Sequence, residues 1–157
     1  MIDAPARSRM IYTFGSSGVS SWMVEEVRNR LFAVDLRITS SSHHQMQMML
    51  AATVERGDVV FVCSLSGTNA EVIKAARIVA DYGATTVALA VRDTPLVKAV
   101  ALALTIDITD DGDVLGPTCL CYAFVAVGRS AYGAAIRNRT QRFTTYRDTN
   151  DSRPVSD

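Results

Sequence analysis

Five consecutive residues, Val59-Val60-Phe61-Val62-Cys63, constrain the fold of this chain more than any other segment. An uninterrupted apolar run, rich in β-branched and aromatic side chains, reads as a strand covered on both faces, as inner strands of parallel sheets are. Gly57-Asp58 breaks the preceding pattern, and Ser64-Leu65-Ser66-Gly67 turns the chain afterwards. A helical pattern then runs from about Asn69 to Tyr82 and is closed by Gly83.

The same rhythm recurs on either side. Met10 to Phe14 reads as a buried strand ending at Gly15, followed by a serine-rich turn and a helix in which Met23, Val24, Val27 and Leu31 share a face. Val34 to Thr39 is a second strand. A turn over Ser40, Ser41 and Ser42 leads into a helix from His43 to Val54, whose Met46, Met49 and Leu50 repeat at helical spacing and are expected to pack on the sheet. Thr85 to Ala90 is a fourth strand, Thr94 to about Val100 a short helix, and Leu102 to Ile106 a fifth strand. Strands alternating with helices imply right-handed crossovers and a parallel sheet with helices on both faces. After an Asp-rich turn, Pro117 and Thr118 begin a last helix to about Ile136. Its first half is apolar all round and is therefore expected to be buried or shared with a partner subunit. Residues 1–9 read as a linker, 10–137 as one domain, and 138–157 as a tail without apolar periodicity.

A chain of 157 residues is one domain's worth, and folding at that size buries roughly 70% of the unfolded surface without disulfides or metals. The 48% hydrophobic and 20% charged fractions describe a soluble globular protein. A formal net charge of zero argues against nucleic acid or an anionic membrane as the chief partner of this segment. Cys63, Cys119 and Cys121 form no CxxC pair, and Met1 to Met10 has no apolar signal-peptide core, so reduced thiols in the cytoplasm are expected. The longest apolar run, Cys119 to Gly128, is about half of the ~20 residues a membrane span needs.

In an open parallel sheet, chemistry belongs at the carboxyl ends of the strands, near a switch in strand order. Two turns qualify: Gly15-Ser16-Ser17-Gly18 after strand one, and Ser64-Leu65-Ser66-Gly67-Thr68-Asn69 after strand three. Each sets hydroxyls and backbone amides at a helix N-terminus, where the macrodipole favours an anion. In the usual doubly wound order 2-1-3-4-5, strands one and three are neighbours and both turns face one crevice. Without a P-loop lysine, they suit a phosphate monoester with a polyol tail better than a nucleoside triphosphate. A plainer reading stands beside this one. Ser17 is then only an N-cap, and Thr68-x-x-Glu71 a capping box that satisfies orphan amides.

The run Ile11-Tyr12-Thr13-Phe14-Gly15-Ser16-Ser17-Gly18 resembles the opening strand and turn of sugar isomerase (SIS) domains. Gly57-Asp58-Val59-Val60, followed by Ser64-Leu65-Ser66-Gly67-Thr68-Asn69-Ala70-Glu71, is similar to that family's second signature, and Asp81 to Leu89 to the helix end and strand that follow. The resemblance covers about Met10 to Ile136. It implies a three-layer αβα sandwich with a five-stranded parallel sheet of flavodoxin-like order, a sugar phosphate as ligand, no cofactor or metal, and a homodimer or higher homo-oligomer. Ser64, Ser66 and Asn69, with the backbone of Leu65 and Gly67, would hold phosphate; Gly15, Ser16 and Ser17 would lie nearer the sugar hydroxyls. Asn69 stands where the family usually has threonine; it can donate from its amide and cap the helix.

With Gln47 in the second helix, the local pattern most resembles the effector domains of RpiR-type bacterial transcription regulators, which reach DNA through a separate helix-turn-helix domain that nothing in this chain resembles. A binding module without activity of its own is therefore expected. The alternative, an aldose–ketose isomerase, needs a base placed to move a proton between adjacent carbons. Glu25 and Glu26 lie beside arginines as a solvated face, Glu71 belongs to the capping box, and His43 and His44 border the ligand segment but point in different directions on a helix. Cys63 is expected to be an inert core thiol.

Overall fold

The computed structural model describes residues 10–16, 18–32 and 36–107. The expectations for the linker over 1–9, for Ser17, for the helix from Pro117 with Cys119 and Cys121, and for the tail over 138–157 lie outside these residues.

The described chain alternates strand and helix throughout: β1 (Ile11–Gly15), α1 (Gly18–Phe32), β2 (Ile38–Ser41), α2 (His44–Ala51), β3 (Val59–Ser64), α3 (Ala70–Asp81), β4 (Thr85–Val91), α4 (Pro95–Ala99) and β5 (Leu102–Ile106). The strands form one parallel sheet in the order β2-β1-β3-β4-β5, as expected. Every residue of β1 and β3 is buried, which accounts for their unbroken apolar runs: both faces of the central strands carry helices.

Alternation along the strands divides the core. Tyr12, Phe14, Val60, Val62, Ala88 and Ala90 point to the side of α2, α3 and α4, where Ala51, Val72, Ala75, Ala76, Val79 and Leu96 meet them. Ile11, Val59, Phe61 and Val87 point the other way, onto Val27 and Leu31 of α1, and Cys63 and Leu89 meet Met23 and Val24 of the same helix. Helix α3 has alanines at 75 and 76 on its buried stripe, so it can sit close to the sheet.

Three expectations need correction. The second strand is Ile38–Ser41 rather than Val34–Thr39. It is an edge strand, three of its four residues are only half-buried, and its Thr-Ser-Ser sequence gives no apolar signal. The second helix ends at Ala51, and its inward residues are Gln47 and Ala51; Met46 and Met49 are 48% and 67% exposed. The capping box also moves. The N-cap of α3 is Asn69, whose Oδ1 accepts from the amides of Glu71 and Val72, both at 3.1 Å, while Thr68 turns its hydroxyl to Ser66.

Candidate functional site

The ladder between β1 and β3 ends with Gly15 opposite Cys63; the next residues are Ser16, which leaves the sheet, and Ser64, the last residue of β3, still paired with Ala90 of β4. From β1 the chain crosses to β2 on one side, and from β3 to β4 on the other. Both strand ends therefore lie at the switch point of the sheet, where open parallel sheets place their ligands.

Gly15 is glycine for lack of room. A Cβ there would lie 2.5 Å from Val24 Cγ2 and 2.7 Å from the carbonyl oxygen of Ser20, both on α1. This close approach brings the first turn of α1 over the end of β3, where the Ser20 hydroxyl accepts from the amide of Leu65 at 3.2 Å.

The turn after β3 is held from several directions. Ser64 is buried, and its Oγ accepts from the amide of Gly67 at 3.2 Å, which leaves its own O–H to donate elsewhere. Gly67 adopts φ 61°, and a Cβ on it would stand 2.2 Å from Thr94 Oγ1. The carbonyl of Gly67 accepts from the amide of Leu96 at 3.0 Å, and Thr94 Oγ1 donates to the carbonyl of Val91 at 3.0 Å. The loop between β4 and α4 thus forms the floor under Ser66-Gly67. Ser66 is exposed; its Oγ accepts from Thr68 Oγ1 at 3.0 Å. Asn69 spends its Oδ1 on the cap, so its side-chain NH2 is the part able to reach a ligand.

The outcome is a turn fixed by the protein's own bonds, with a few donors left over. The amides of Ser66, Asn69 and Ala70 donate to no group among the described residues, and they stand at the N-terminal end of α3. Unused donors at a helix N-terminus suit an anion, by hydrogen bonding and by the helix dipole together.

The structure brings together Gly15, Ser16, Ser64, Leu65, Ser66, Gly67 and Asn69 at one sheet end. His43 is the N-cap residue of α2, without a side-chain cap bond, and His44 begins the helix; both are exposed. Glu25 and Glu26 pair with Arg28 and Arg30 along α1, and Glu25 also accepts from Ser40 Oγ at 2.9 Å, which leaves them on the solvated face expected of them. Cys63 is fully buried and its thiol is pushed up to about 12 by desolvation, as an inert core thiol requires. Sequence reasoning missed Ser20 and Thr94. Each is a polar residue at the first turn of a helix, where capping is the ordinary explanation; only the fold sets them against the serine turn.

A model of the SIS domain matches residues 8–132. The chain belongs to the SIS domain family. The HTH-type transcriptional regulator HexR of Pseudomonas aeruginosa is 28% identical to this SIS domain over 116 residues, which are 74% of this chain and 40% of that protein. The chain thus spans well under half the length of that relative. Among solved structures, the sugar isomerase domain of an RpiR transcription factor from Sphaerobacter thermophilus superposes with a TM-score of 0.68 at 15% identity, over 92% of this chain and 83% of that one. The Vibrio vulnificus NanR protein complexed with ManNAc-6P gives 0.68 at 20% identity, over 92% and 57%. At such identities the likeness to these structures is one of fold.

Proposed function

We propose that this SIS domain is a phosphosugar sensor, the effector module of an RpiR-type transcription regulator that meets DNA through a separate helix-turn-helix domain. One observation carries the reading: the turn from Ser64 to Asn69 is clamped by Ser20, Thr94 and its own hydrogen bonds while the amides of Ser66, Asn69 and Ala70, at a helix N-terminus, donate to no group among the described residues. A donor array built before the ligand arrives binds a dianion without ordering cost. Relatedness to HexR, a regulator, and the ManNAc-6P held by NanR agree with it.

In this reading the phosphate sits on the side chains of Ser64, Ser66 and Asn69 and on the amides of Ser66, Asn69 and Ala70. Leu65 and Gly67, whose amides are bonded to Ser20 and Ser64, shape the turn without donating to the phosphate. The sugar hydroxyls lie along Gly15, Ser16 and Ser17, with His43 and His44 at the rim. The domain works in the cytoplasm as a homodimer or larger homo-oligomer. Among the described residues no helix is long and apolar enough to cross a membrane. Sensing needs no proton transfer, and the carboxylates nearest the described site are committed or exposed: Glu71 is in the first turn of α3 on the surface.

A thermal-shift panel of hexose and pentose phosphates tests the proposal. At about a hundred times the dissociation constant, a true ligand adds about 2.7 kcal/mol of stability. Stabilisation by a sugar phosphate but not by the free sugar supports it. Silence across the panel, or equal shifts with free sugars, overturns it, and interconversion of aldose and ketose phosphates would make the domain an enzyme.

A further inference from the structure

Gln47 lies on the inward stripe of α2, fully buried, at a place where a leucine or methionine would fill the space without desolvating an amide. Its Nε2 donates to the carbonyl of Gly15 at 2.8 Å and to the carbonyl of Ser41 at 2.9 Å. Both protons of the amide are then used, and its orientation is fixed, because the reversed amide would set oxygen against two carbonyl oxygens. Oε1 is left buried without a partner among the described residues. An unpaired buried acceptor is unfavourable, so the reason for a glutamine lies in the two bonds it donates.

Those two carbonyls mark where neighbouring strands leave the sheet. The β1–β2 ladder ends with Phe14 opposite Ser41, and β2 is the edge strand. Beyond that pair no ladder bond joins the strands. Gln47 takes over, tying the chain that enters the Gly15-Ser16 turn to the chain that enters α2. Ser41 carries the link onward: its Oγ accepts from the amide of His43 at 3.2 Å and donates to the carbonyl of His43 at 3.1 Å. None of these bonds touches the turn from Ser64 to Asn69, which has its own clamps.

We infer that Gln47 is a positioning residue that fixes the sugar-facing wall of the site, Gly15-Ser16 against His43, independently of the phosphate-holding turn. The inference deepens the proposed function and rests on it. It divides the work: the Ser64–Asn69 turn supplies affinity for phosphate, and Gln47 supplies the geometry that distinguishes one sugar from another.

Gln47→Met keeps the volume and removes both donors, and Gln47→Glu keeps the length and leaves at most one donor, since burial against two carbonyls favours the protonated acid. Without ligand, amide hydrogen exchange should quicken about tenfold in the segments over 14–20 and 41–46, and stay unchanged over 66–72; the Leu65 amide, bonded to Ser20, follows the first segment. Glucose 6-phosphate, fructose 6-phosphate and arabinose 5-phosphate are titrated beside inorganic phosphate. The best-bound sugar phosphate should weaken about tenfold or more, toward the affinity of inorganic phosphate, whose own binding moves less than about twofold. Unchanged exchange in the first two segments overturns the inference whether or not a ligand is known. Equal weakening of phosphate and sugar phosphate overturns it as well, since that marks general damage. If the wild type binds none of the four probes, the functional reading falls while the exchange data still decide whether Gln47 positions both turns. If neither variant folds, the wild-type side-chain NH2 resonances of Gln47 decide: slow exchange with a shift on adding sugar phosphate but not phosphate supports the inference, and rapid exchange overturns it.

Discussion

The two ends of β3 carry equally prominent polar residues and do opposite things with them. At the amino end, Asp58 is buried and every acceptor it offers is consumed. Oδ1 accepts from the amide of Met10 at 3.0 Å, Oδ2 from the amide of Glu55 at 2.9 Å, and the main-chain carbonyl from the amide of Thr85 at 2.9 Å. It ties the starts of β1, β3 and β4 together and offers nothing to a ligand. At the carboxyl end, Ser64 accepts one bond from within its own turn, and neither its O–H nor the amides of Ser66, Asn69 and Ala70 donate to any group among the described residues. The Gly57-Asp58 and Ser64–Glu71 parts of one family signature therefore answer to different demands. The first is a fold requirement, and the second carries the proposed site.

Substitutions at the open end should give the largest effect. Ser64→Ala with Ser66→Ala removes two charge-assisted bonds to a phosphate, each worth roughly 1.5–3 kcal/mol, so sugar-phosphate affinity should fall by about a hundredfold or more. The cost to folding should be near 1 kcal/mol, from the lost bond to the Gly67 amide. Calorimetric titration and a denaturant melt of the same variant check both halves. Retained affinity would move the phosphate site elsewhere.

The closed end should respond the other way round. Asp58→Ala strands the amides of Met10 and Glu55 and should cost about 3 kcal/mol of stability. The ligand affinity of the molecules that remain folded should be unaltered. A variant that unfolds easily and also binds poorly in its folded fraction would show that the two ends of β3 are coupled and not merely different.

How legible this division is depends on what each residue bonds to. Strands β1, β3 and β4 follow from apolar runs because burial on both faces leaves little use for polar residues within them. β5, last in the order and only partly buried, still reads from Leu-Ala-Leu-Thr-Ile. β2 was displaced by several residues, since an edge strand of Ile-Thr-Ser-Ser sequence looks like a turn. The inward face of α2 was misread for a related reason. Periodicity assigns apolar residues to the core, yet here a glutamine turns inward to hold strand ends and two methionines turn outward. The serine turns were readable as a pair because serine, glycine and a helix start recur after neighbouring strands. Their supports were not: Ser20 and Thr94 acquire a role only when the sheet sets α1 and the β4–α4 loop beside Leu65 and Gly67.

Between the two ends lies a position with neither use. Thr13, midway along β1, is fully buried and its Oγ1 has no partner. Thr13→Val keeps the β-branched shape and removes the unpaired hydroxyl, so the domain should gain about 1 kcal/mol, with sugar-phosphate binding unchanged. A loss of stability on urea titration would mean that the hydroxyl is paired in solution.

The smallest effect concerns Cys63, one residue before the open end and yet sealed from it. Burial lifts its thiol from an ordinary value of 9.0 to about 12, so the fold favours the protonated form. The sign follows from linkage. Below about pH 9 the thiol is neutral in both states and costs nothing. As pH rises from 9 toward 12 the unfolded chain ionises and the folded one does not, and stability is lost through that window. Cys63→Val has no such group, so the difference in urea midpoint between variant and wild type should be constant from pH 7 to 8.5. By about pH 9.5 it should grow in the variant's favour by somewhat under 1 kcal/mol. A difference that stays flat through that range would place the thiol within reach of solvent, and the open crevice would then extend one residue deeper into β3 than its packing against Met23 and Val24 allows.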